Sequence, residues 1–281
     1  MALGSSLTAS LRRVQHARRS RFFSVGSGLL YRIYERRLLL AIRQYPLPRH
    51  IGIILDGNRR HARALHITDP HAVYGLGAHK LDDVLRWCSE LQIPTITLWV
   101  FSPDNLRRPS YEVAGIFSAL EAKLLALARD QRIHTGRIRV RAIGKIDLLP
   151  ESARAAIRVV EEATASHDGI VVNIAVAYGG RQEIVDAIVA FLNDHNAEHR
   201  TLAEAIASVT PEGIGRYLYT AGLPDPDLIR TSVEVRLSGF MLWQSAHSEF
   251  YFTDVNWPAF RKIDLLRAIR SYQQRHRRFG I

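Results

Sequence analysis

The feature that most constrains the fold is a regular alternation between short apolar runs, rich in β-branched and aromatic residues, and longer runs with helical periodicity. The apolar runs occupy residues 51–55, 95–101, 138–143, 170–177, 227–231 and 249–252. Helical periodicity fills most of the gaps, over residues 78–91, 111–131, 151–166, 181–194, 202–206, 211–219 and 260–276. Strands that alternate with helices predict an α/β fold with a parallel sheet and helices on both faces.

The organisation of the chain is bounded by its length and by what separates its segments. A chain of 281 residues is long enough for one large domain or two small ones. No Gly/Ser-rich or Pro-rich linker interrupts residues 49–281, so this part is predicted to be one domain. The single cysteine, Cys88, excludes an internal disulfide and a multi-thiolate metal site. No run reaches the ~18 apolar residues that a membrane-spanning helix needs.

The net charge of +11 is concentrated near the N-terminus. Residues 1–48 hold nine arginines and a single acid, Glu35, so this basic N-terminal segment carries +8 of the total. Three interpretations stay open: a solvated tail, an amphipathic helix from about Leu29 to Tyr45 at an anionic membrane surface, or a cleaved presequence of mitochondrial type. Because no stacking aromatics are interleaved with the basic residues, we expect no nucleic-acid partner.

The segment after the first apolar run combines a carboxylate, a glycine and two arginines. Asp56-Gly57-Asn58-Arg59-Arg60 follows a predicted strand and enters a predicted helix. Backbone N–H groups at a helix N-terminus favour anions, and glycine lets a phosphate approach closely. Arg60 adds a charge-assisted clamp. An Asp-Gly turn with exposed arginines is the alternative.

A second polar segment lies far downstream and supplies complementary chemistry. It places Arg230, Glu234, Arg236, Ser238 and Glu249 within a short stretch of chain. Arginine forks bind phosphate oxygens bidentately, and carboxylates hold the Mg²⁺ that accompanies diphosphates. A structural salt bridge between the arginines and Glu234 is the alternative.

The two segments are predicted to meet at one edge of the sheet. Asp56, Ser102 and Arg230 each lie at the carboxyl end of a predicted strand. Ligands of parallel α/β sheets bind at those ends. The sequence therefore predicts one site for a diphosphate and its metal, built from segments that are far apart in the chain.

Four motifs occur in a characteristic order: Ile54-Leu-Asp-Gly-Asn58, Phe101-Ser-Pro-Asp-Asn105, Tyr178-Gly-Gly-Arg181 and Arg230-Thr-Ser-x-Glu-x-Arg-Leu-Ser238. In this order the chain resembles the cis-prenyltransferases, the undecaprenyl-diphosphate-synthase-like enzymes, over roughly residues 49–280. Residues 217–227 and 271–280 are most similar to short-chain members such as the (2Z,6E)-farnesyl diphosphate synthases.

The resemblance implies a fold, a reaction and partners. The implied fold has a six-stranded, mostly parallel sheet flanked by helices, with an apolar tunnel between sheet and helices. The implied reaction is a Mg²⁺-dependent condensation of isopentenyl diphosphate with a dimethylallyl, geranyl or farnesyl diphosphate, which gives a short-chain Z-prenyl diphosphate. The enzyme would be a homodimer in the cytoplasm, with peripheral contact at the inner face of the membrane as an option.

The same resemblance assigns roles to residues. Asp56 is the central catalytic residue and shares Mg²⁺ with Glu249, while Asn58 and Asn105 are catalytic positions near the condensing carbons. The implied substrate-binding residues are Gly57, Arg59, Arg60, Ser102, Arg108, Arg230, Glu234, Arg236 and Ser238. Helix capping is the alternative for Ser102 and Asn105. The C-terminal Arg278-Phe279-Gly280 matches an element that in some members reaches diphosphate across the dimer.

Departures from the family pattern keep rival functions open. Tyr74 stands where a histidine is usual, and Val233 replaces a glycine of the Thr-Ser-Gly-Glu motif. Val100 is bulkier than its counterpart in long-chain members and would shorten the tunnel. One rival is head-to-middle coupling of two allylic diphosphates. Another is a non-catalytic subunit of a heteromeric prenyltransferase, which the retained Asp56 and Glu249 argue against.

Overall fold

The structure is a computed structural model and describes residues 30–231, 234 and 236–275. The chain forms two compact units, Met1–Pro46 and Leu47–Ile281. In the first unit, residues 30–42 form helix α1. Within the described part of the chain, no helix combines the length and apolarity needed to cross a bilayer.

The second unit is built on a six-stranded sheet in which every pair of neighbouring strands is parallel. The strands are β1 (His50–Ile54), β2 (Thr95–Trp99), β3 (Arg139–Ile143), β4 (Val171–Ala175), β5 (Leu228–Thr231) and β6 (Glu249–Phe252). Their order across the sheet is β3-β4-β2-β1-β5-β6. The predicted α/β class is confirmed, and the sheet is wholly parallel rather than mostly so.

Helices connect and cover the strands, as the periodicity predicts. They are α2 (Asn58–Ala64), α3 (Pro70–Glu90), α4 (Ser110–Arg129), α5 (Gln131–Thr135), α6 (Glu151–Thr164), α7 (Gly180–Ala197), α8 (Leu202–Ala207), α9 (Pro211–Gly215) and α10 (Lys262–Gln274). Helices α3, α4 and α6 pack side by side, while α10 contacts β5 and β6. Since α10 also contacts α3, these helices cover one face of the sheet. The chain around Phe240 packs on β1 at Gly52 from the other face, which is why β1 is buried along its whole length.

Two aspartates account for the main differences in helix boundaries. Asp69 accepts hydrogen bonds from the backbone N–H groups of His71 and Ala72, and Pro70 follows it, so α3 begins eight residues before the predicted start at residue 78. Asp130 accepts from the N–H of Arg132 and begins α5, so the predicted helix over residues 111–131 divides in two.

A buried aromatic cluster supports the carboxyl ends of the central strands. Trp99 stacks on Phe240 with ring centroids 5.5 Å apart, and Tyr178 meets Phe240 edge-on. The Tyr178 hydroxyl accepts a hydrogen bond from the N–H of Met241 and donates to the buried carboxylate of Glu183. The cluster thus fixes the chain that follows residue 236 beside the ends of β1 and β2.

Candidate active site

A polar cleft of about 380 Å³ opens at the carboxyl ends of β1, β2 and β5. Five arginines and two carboxylates line it, so its walls are positively charged: Arg59, Arg60, Arg63, Arg108, Arg236, Asp56 and Glu234. Every predicted site residue lines the cleft except Arg230 and Glu249. The structure therefore brings together segments that are 180 residues apart in sequence, as the position of strand ends predicts.

The Asp56 loop is held in place by backbone geometry. The carbonyl of Asp56 accepts a hydrogen bond of 2.9 Å from the N–H of Trp257. Gly57 has a φ of +96°, in the left-handed region that disfavours side chains, and a Cβ there would lie 2.3 Å from Oδ1 of Asn256. Only glycine fits both constraints, which explains the Asp-Gly sequence.

Ion pairs position the arginines around the cleft. Arg60 binds the carboxylate of Asp56 at 2.7 Å and lies 3.6 Å from Glu234. Glu234 in turn binds Arg236 at 2.6 Å. Glu234 thus orients the guanidinium groups of Arg60 and Arg236. The alternative of a structural salt bridge with Glu234 therefore applies to Arg236 but not to Arg230, which donates to backbone carbonyls. Because the Arg236 side chain is 70% exposed, it is accessible to a ligand as well.

A second cluster occupies the opposite side of the cleft. The hydroxyl of Tyr74 donates to Glu112 at 2.5 Å and accepts from Arg108 at 2.9 Å. Arg108 also binds Glu112 at 3.0 Å, and Arg59 lies 3.6 Å from the same carboxylate. Burial, reinforced by the hydrogen bond to Glu112, raises the pKa of Tyr74 to about 12, so the phenol is neutral near pH 7.

Amide side chains complete the polar wall. Asn105 accepts a hydrogen bond of 3.0 Å from the N–H of Ser102, so it caps the turn that follows β2 while both residues line the cleft. Asn58 donates to the carbonyl of Leu55 at 3.0 Å. Its Oδ1 atom is buried and has no hydrogen-bond partner. A buried acceptor without a donor is costly, and this oxygen lies against Gly77, where a Cβ would be 2.4 Å from it.

Arg230, which is predicted to bind substrate, is not among the residues that line the cleft. Its side chain is fully buried and donates to the carbonyls of Ile54, at 3.2 Å, and Val255. The guanidinium lies 4.5 Å from the ring centre of Phe260, and burial lowers the pKa of Arg230 to about 10. Strand side chains alternate between faces, so the next residue, Thr231, lines the cleft instead.

Glu249 also lies away from Asp56 within this chain. It is the first residue of β6 and pairs with Leu228, which pairs with Ile51 on β1. Asp56 is five residues beyond Ile51, so at ~3.3 Å per residue the backbone positions of Glu249 and Asp56 are offset by roughly 16 Å along the strand direction. The Glu249 carboxylate pairs with Arg275. The sharing of one metal by Asp56 and Glu249 stays a prediction.

Sequence reasoning missed some of the lining. Arg63 follows Arg59 and Arg60 by one helical turn, a spacing that places it on the same face of α2. Tyr74 was noted only as a departure from the family pattern. The predicted positions Val233 and Arg278-Phe279-Gly280 lie outside the described residues.

An apolar pocket adjoins the cleft. It has a volume of about 70 Å³ and lies between α3, α4 and the sheet. Five residues line both spaces: Leu55, Asn58, Tyr74, Val100 and Ile116. The remaining wall is mainly aliphatic, with Leu81, Leu120, Leu124 and Trp257 among its residues. A polar, cationic entrance next to an apolar interior suits a ligand with an anionic head and a hydrocarbon tail.

The fold and cleft thus define an α/β enzyme class that binds an amphiphilic diphosphate at the strand ends. A family model described as "Putative undecaprenyl diphosphate synthase" matches residues 54–280. The chain is 50% identical to an isoprenyl transferase of Deinococcus radiodurans, over 98% of this chain and 99% of the relative. It is 49% identical to a (2Z,6E)-farnesyl diphosphate synthase of Thermobifida fusca, over 89% and 97%.

A solved structure shows the same architecture. Lavandulyl diphosphate synthase from Lavandula x intermedia, in complex with dimethylallyl diphosphate, superposes with a TM-score of 0.75 at 31% identity, covering 84% of this chain and 99% of the other. The chain belongs to the cis-prenyltransferase family, the undecaprenyl diphosphate synthase-like enzymes. It is a transferase of isoprenoid biosynthesis that makes prenyl diphosphates.

Proposed function

We propose that this cis-prenyltransferase condenses isopentenyl diphosphate with a short allylic diphosphate and releases a short-chain Z-prenyl diphosphate. The observation that carries the proposal is the junction of the cationic cleft and the small apolar pocket at Val100 and Ile116. The diphosphates bind among the arginines, and the growing tail enters the apolar pocket.

The residues of the cleft fit Mg²⁺. Enzymes of this family require a divalent metal. Mg²⁺ is usually held by one or two carboxylates together with substrate phosphates and waters. Asp56 supplies an accessible carboxylate, with 31% of its side chain exposed. Among the described residues no group of three or more acidic, His or Cys side chains forms a metal cage, so diphosphate oxygens would complete the coordination.

The residues divide the chemistry between two sides of the cleft. Arg59 and Arg60, beside Asp56, hold the allylic diphosphate, and their charge stabilises this leaving group as its C–O bond breaks. Mg²⁺, when bound, neutralises further charge on the departing diphosphate. Arg236 and Ser238 hold isopentenyl diphosphate, whose double bond attacks the allylic carbon. The proton that the condensed acceptor then loses passes to a water positioned by Asn105 on the cleft wall.

Product length follows from the volume available to the tail. The pocket measures about 70 Å³, and a packed interior has no spare room for a long chain. The likeness to the Thermobifida fusca farnesyl diphosphate synthase supports the same conclusion. We therefore place the product among the short-chain prenyl diphosphates, with Val100 narrowing the entrance to the pocket.

A second candidate is head-to-middle coupling of two allylic diphosphates. The similarity to lavandulyl diphosphate synthase and the presence of Tyr74, rather than a histidine, at the cleft favour it. This candidate differs from the first in its acceptor, since it needs no isopentenyl diphosphate.

One experiment decides between the two. The enzyme is incubated with labelled isopentenyl diphosphate and a panel of dimethylallyl, geranyl and farnesyl diphosphates, with Mg²⁺ or with excess chelator. A labelled product whose formation stops with chelator supports head-to-tail condensation. Product from dimethylallyl diphosphate alone identifies head-to-middle coupling. Absence of product under all these conditions contradicts both proposals.

The homodimer is also a proposal, and helix α7 supports it. Four apolar side chains of α7 are between 42% and 51% exposed: Val185, Ile188, Val189 and Leu192. Their spacing of three and four residues places them on one face of the helix. A contiguous exposed apolar face marks an interaction surface, and an antiparallel α7–α7 contact about a two-fold axis would pair this stripe with itself.

A further inference from the structure

Polar contacts join α3 to α4 at both ends of the apolar pocket. At the cleft end, the hydroxyl of Tyr74 donates to Glu112 at 2.5 Å. At the other end, the ammonium group of Lys123 binds the carboxylate of Asp82 at 2.7 Å. The pocket walls between these two contacts are apolar and include Ala78 on α3 and Ala119 on α4. The apolar pocket therefore has a polar contact between α3 and α4 at each end.

Lys123 is a wall residue of the pocket as well as an ion-pair partner. It lines the pocket beside Leu120 and Leu124, and its side chain is only 11% exposed. Its methylene groups therefore face the apolar space, while its ammonium group is held by Asp82. Asp82 also lies 3.9 Å from Arg132 on α5, so the carboxylate is fixed from two sides.

The distance between the two contacts limits the chain that fits between them. Tyr74 and Asp82 are eight residues apart on α3, and at 1.5 Å per residue this is about 12 Å. An isoprene unit adds four chain bonds, and with C–C bonds of about 1.5 Å it is about 5 Å long when extended. The spacing between the two contacts therefore matches the extended length of about two isoprene units beyond the one nearest the diphosphate.

We propose that the Lys123–Asp82 ion pair closes the far end of the apolar pocket and sets the maximum length of the product. A hydrocarbon tail that displaced Lys123 would separate this ion pair and leave the ammonium group, whose side chain is only 11% exposed, without the carboxylate that holds it, which is unfavourable. The inference rests on the proposed function, because it concerns the length of the tail that this reaction extends.

The test compares variants that separate charge from bulk. Lys123→Met keeps the length of the side chain but loses its link to Asp82, and Asp82→Asn removes the charge from the opposite partner. Both are expected to lengthen the main product by at least one five-carbon unit, while Lys123→Arg retains the wild-type length. Lys80→Met is the matched control, since Lys80 pairs with Asp83 on the same helix at 2.8 Å and does not line the pocket.

A binding measurement keeps the inference testable apart from turnover. Trp257 lines the pocket, so tryptophan fluorescence can follow the binding of geranyl, farnesyl and geranylgeranyl diphosphates. The wild type is expected to bind the first two and to lose at least 10-fold in affinity for the third. Lys123→Met is expected to remove that loss.

The outcomes distinguish the inference from the proposed function. If the wild type makes a product and Lys123→Met leaves both its length and the affinity series unchanged, the ion pair does not close the pocket. If the product lengthens in Lys123→Ala but not in Lys123→Met or Asp82→Asn, the bulk of the side chain and not the ion pair closes the pocket. That result would also overturn the inference. If the wild type makes no product, the proposed function fails, and the affinity series still decides the role of the ion pair.

Discussion

At the scale of single residues, the cleft depends on one carboxylate surrounded by arginines. Asp56 is the lining carboxylate at the end of the central strand β1, and Arg60 binds it at 2.7 Å. Its carboxylate forms the ion pair with the arginine and also provides the oxygen ligand that a divalent metal needs. Removing it is therefore expected to affect the leaving group and the metal together.

Asp56→Ala is expected to lower kcat by a factor of ~10²–10³ or more, the usual size of a lost electrostatic contribution to the transition state. Steady-state product formation measures the effect, and far-UV circular dichroism checks the fold. Asp104→Ala is the control, because Asp104 is on the adjacent turn, 83% exposed, and outside the lining. Activity of Asp56→Ala within threefold of wild type would refute its catalytic role.

Arg236→Ala is expected to raise the KM for isopentenyl diphosphate more than the KM for the allylic substrate. A lost hydrogen bond to a charged group costs about 1.5–3 kcal/mol, which corresponds to roughly 10- to 150-fold. Initial rates with one substrate varied at a time measure both constants, and Arg107→Ala, with Arg107 86% exposed, is the control. Equal effects on both constants would show that the two diphosphate positions are assigned wrongly.

The identity of the cleft residues was predictable from sequence because strand ends and motif order place them. The orientation of Arg230 follows from strand alternation, yet the motif alone assigned it to the ligand. Its burial depends on the carbonyls of Ile54 and Val255, which come from segments far away in sequence. Local patterns carry no information on such partners.

At the scale of secondary-structure elements, α7 differs from the other long helices in how little of it is covered. Its buried positions are Gly180, Glu183, Ala187, Phe191 and His195, a narrow stripe. The apolar residues beside this stripe remain exposed. Helix boundaries, in contrast, were predicted well for α6 and α8 and missed at Asp69 and Asp130, although both aspartates accept hydrogen bonds from N–H groups only two or three residues ahead.

Ile188→Glu is expected to convert the proposed dimer into a monomer, because two charges would meet at the centre of a self-complementary apolar face. Sedimentation velocity at several protein concentrations measures the change. Val159→Glu on α6 is the control, since Val159 is similarly exposed, at 44%, but isolated on a different helix. A wild-type protein that is monomeric at all concentrations would contradict the proposed dimer.

At the scale of the whole molecule, the strand order separates what is predictable from what is not. Six apolar runs predict six strands, but the sequence of a run does not show which strands lie next to it in the sheet. Strand β6 lies at the edge of the sheet beside β5, and Glu249 is its first residue. The separation of Glu249 from Asp56 therefore follows from the register of the strands and not from the sequence motifs. The basic N-terminal segment is the other feature on this scale, and its role stays a prediction.

Deletion of residues 1–46, the whole first unit, is expected to leave catalysis in solution intact and to weaken binding to anionic vesicles. Attraction is ~1 kcal/mol per basic residue near such a surface, and α1 exposes Leu30, Ile33 and Tyr34 in addition to arginines. Co-sedimentation with phosphatidylserine vesicles at low and high salt measures it, with phosphatidylcholine vesicles as the control. Equal sedimentation with and without the segment would return it to the solvated-tail interpretation.

The central position of β1 has a consequence for synthesis of the chain on the ribosome. β1 is the first strand to emerge, yet its partner β5 follows late, since Ile54 and Arg230 are 176 residues apart. At about 5–20 residues per second, this interval is about 10–35 s. The hydrogen-bonding edge of β1 that pairs with β5 thus stays unpaired through most of translation. A nascent chain of this protein is a natural client for chaperones, and a slow codon before β5 would prolong that exposure.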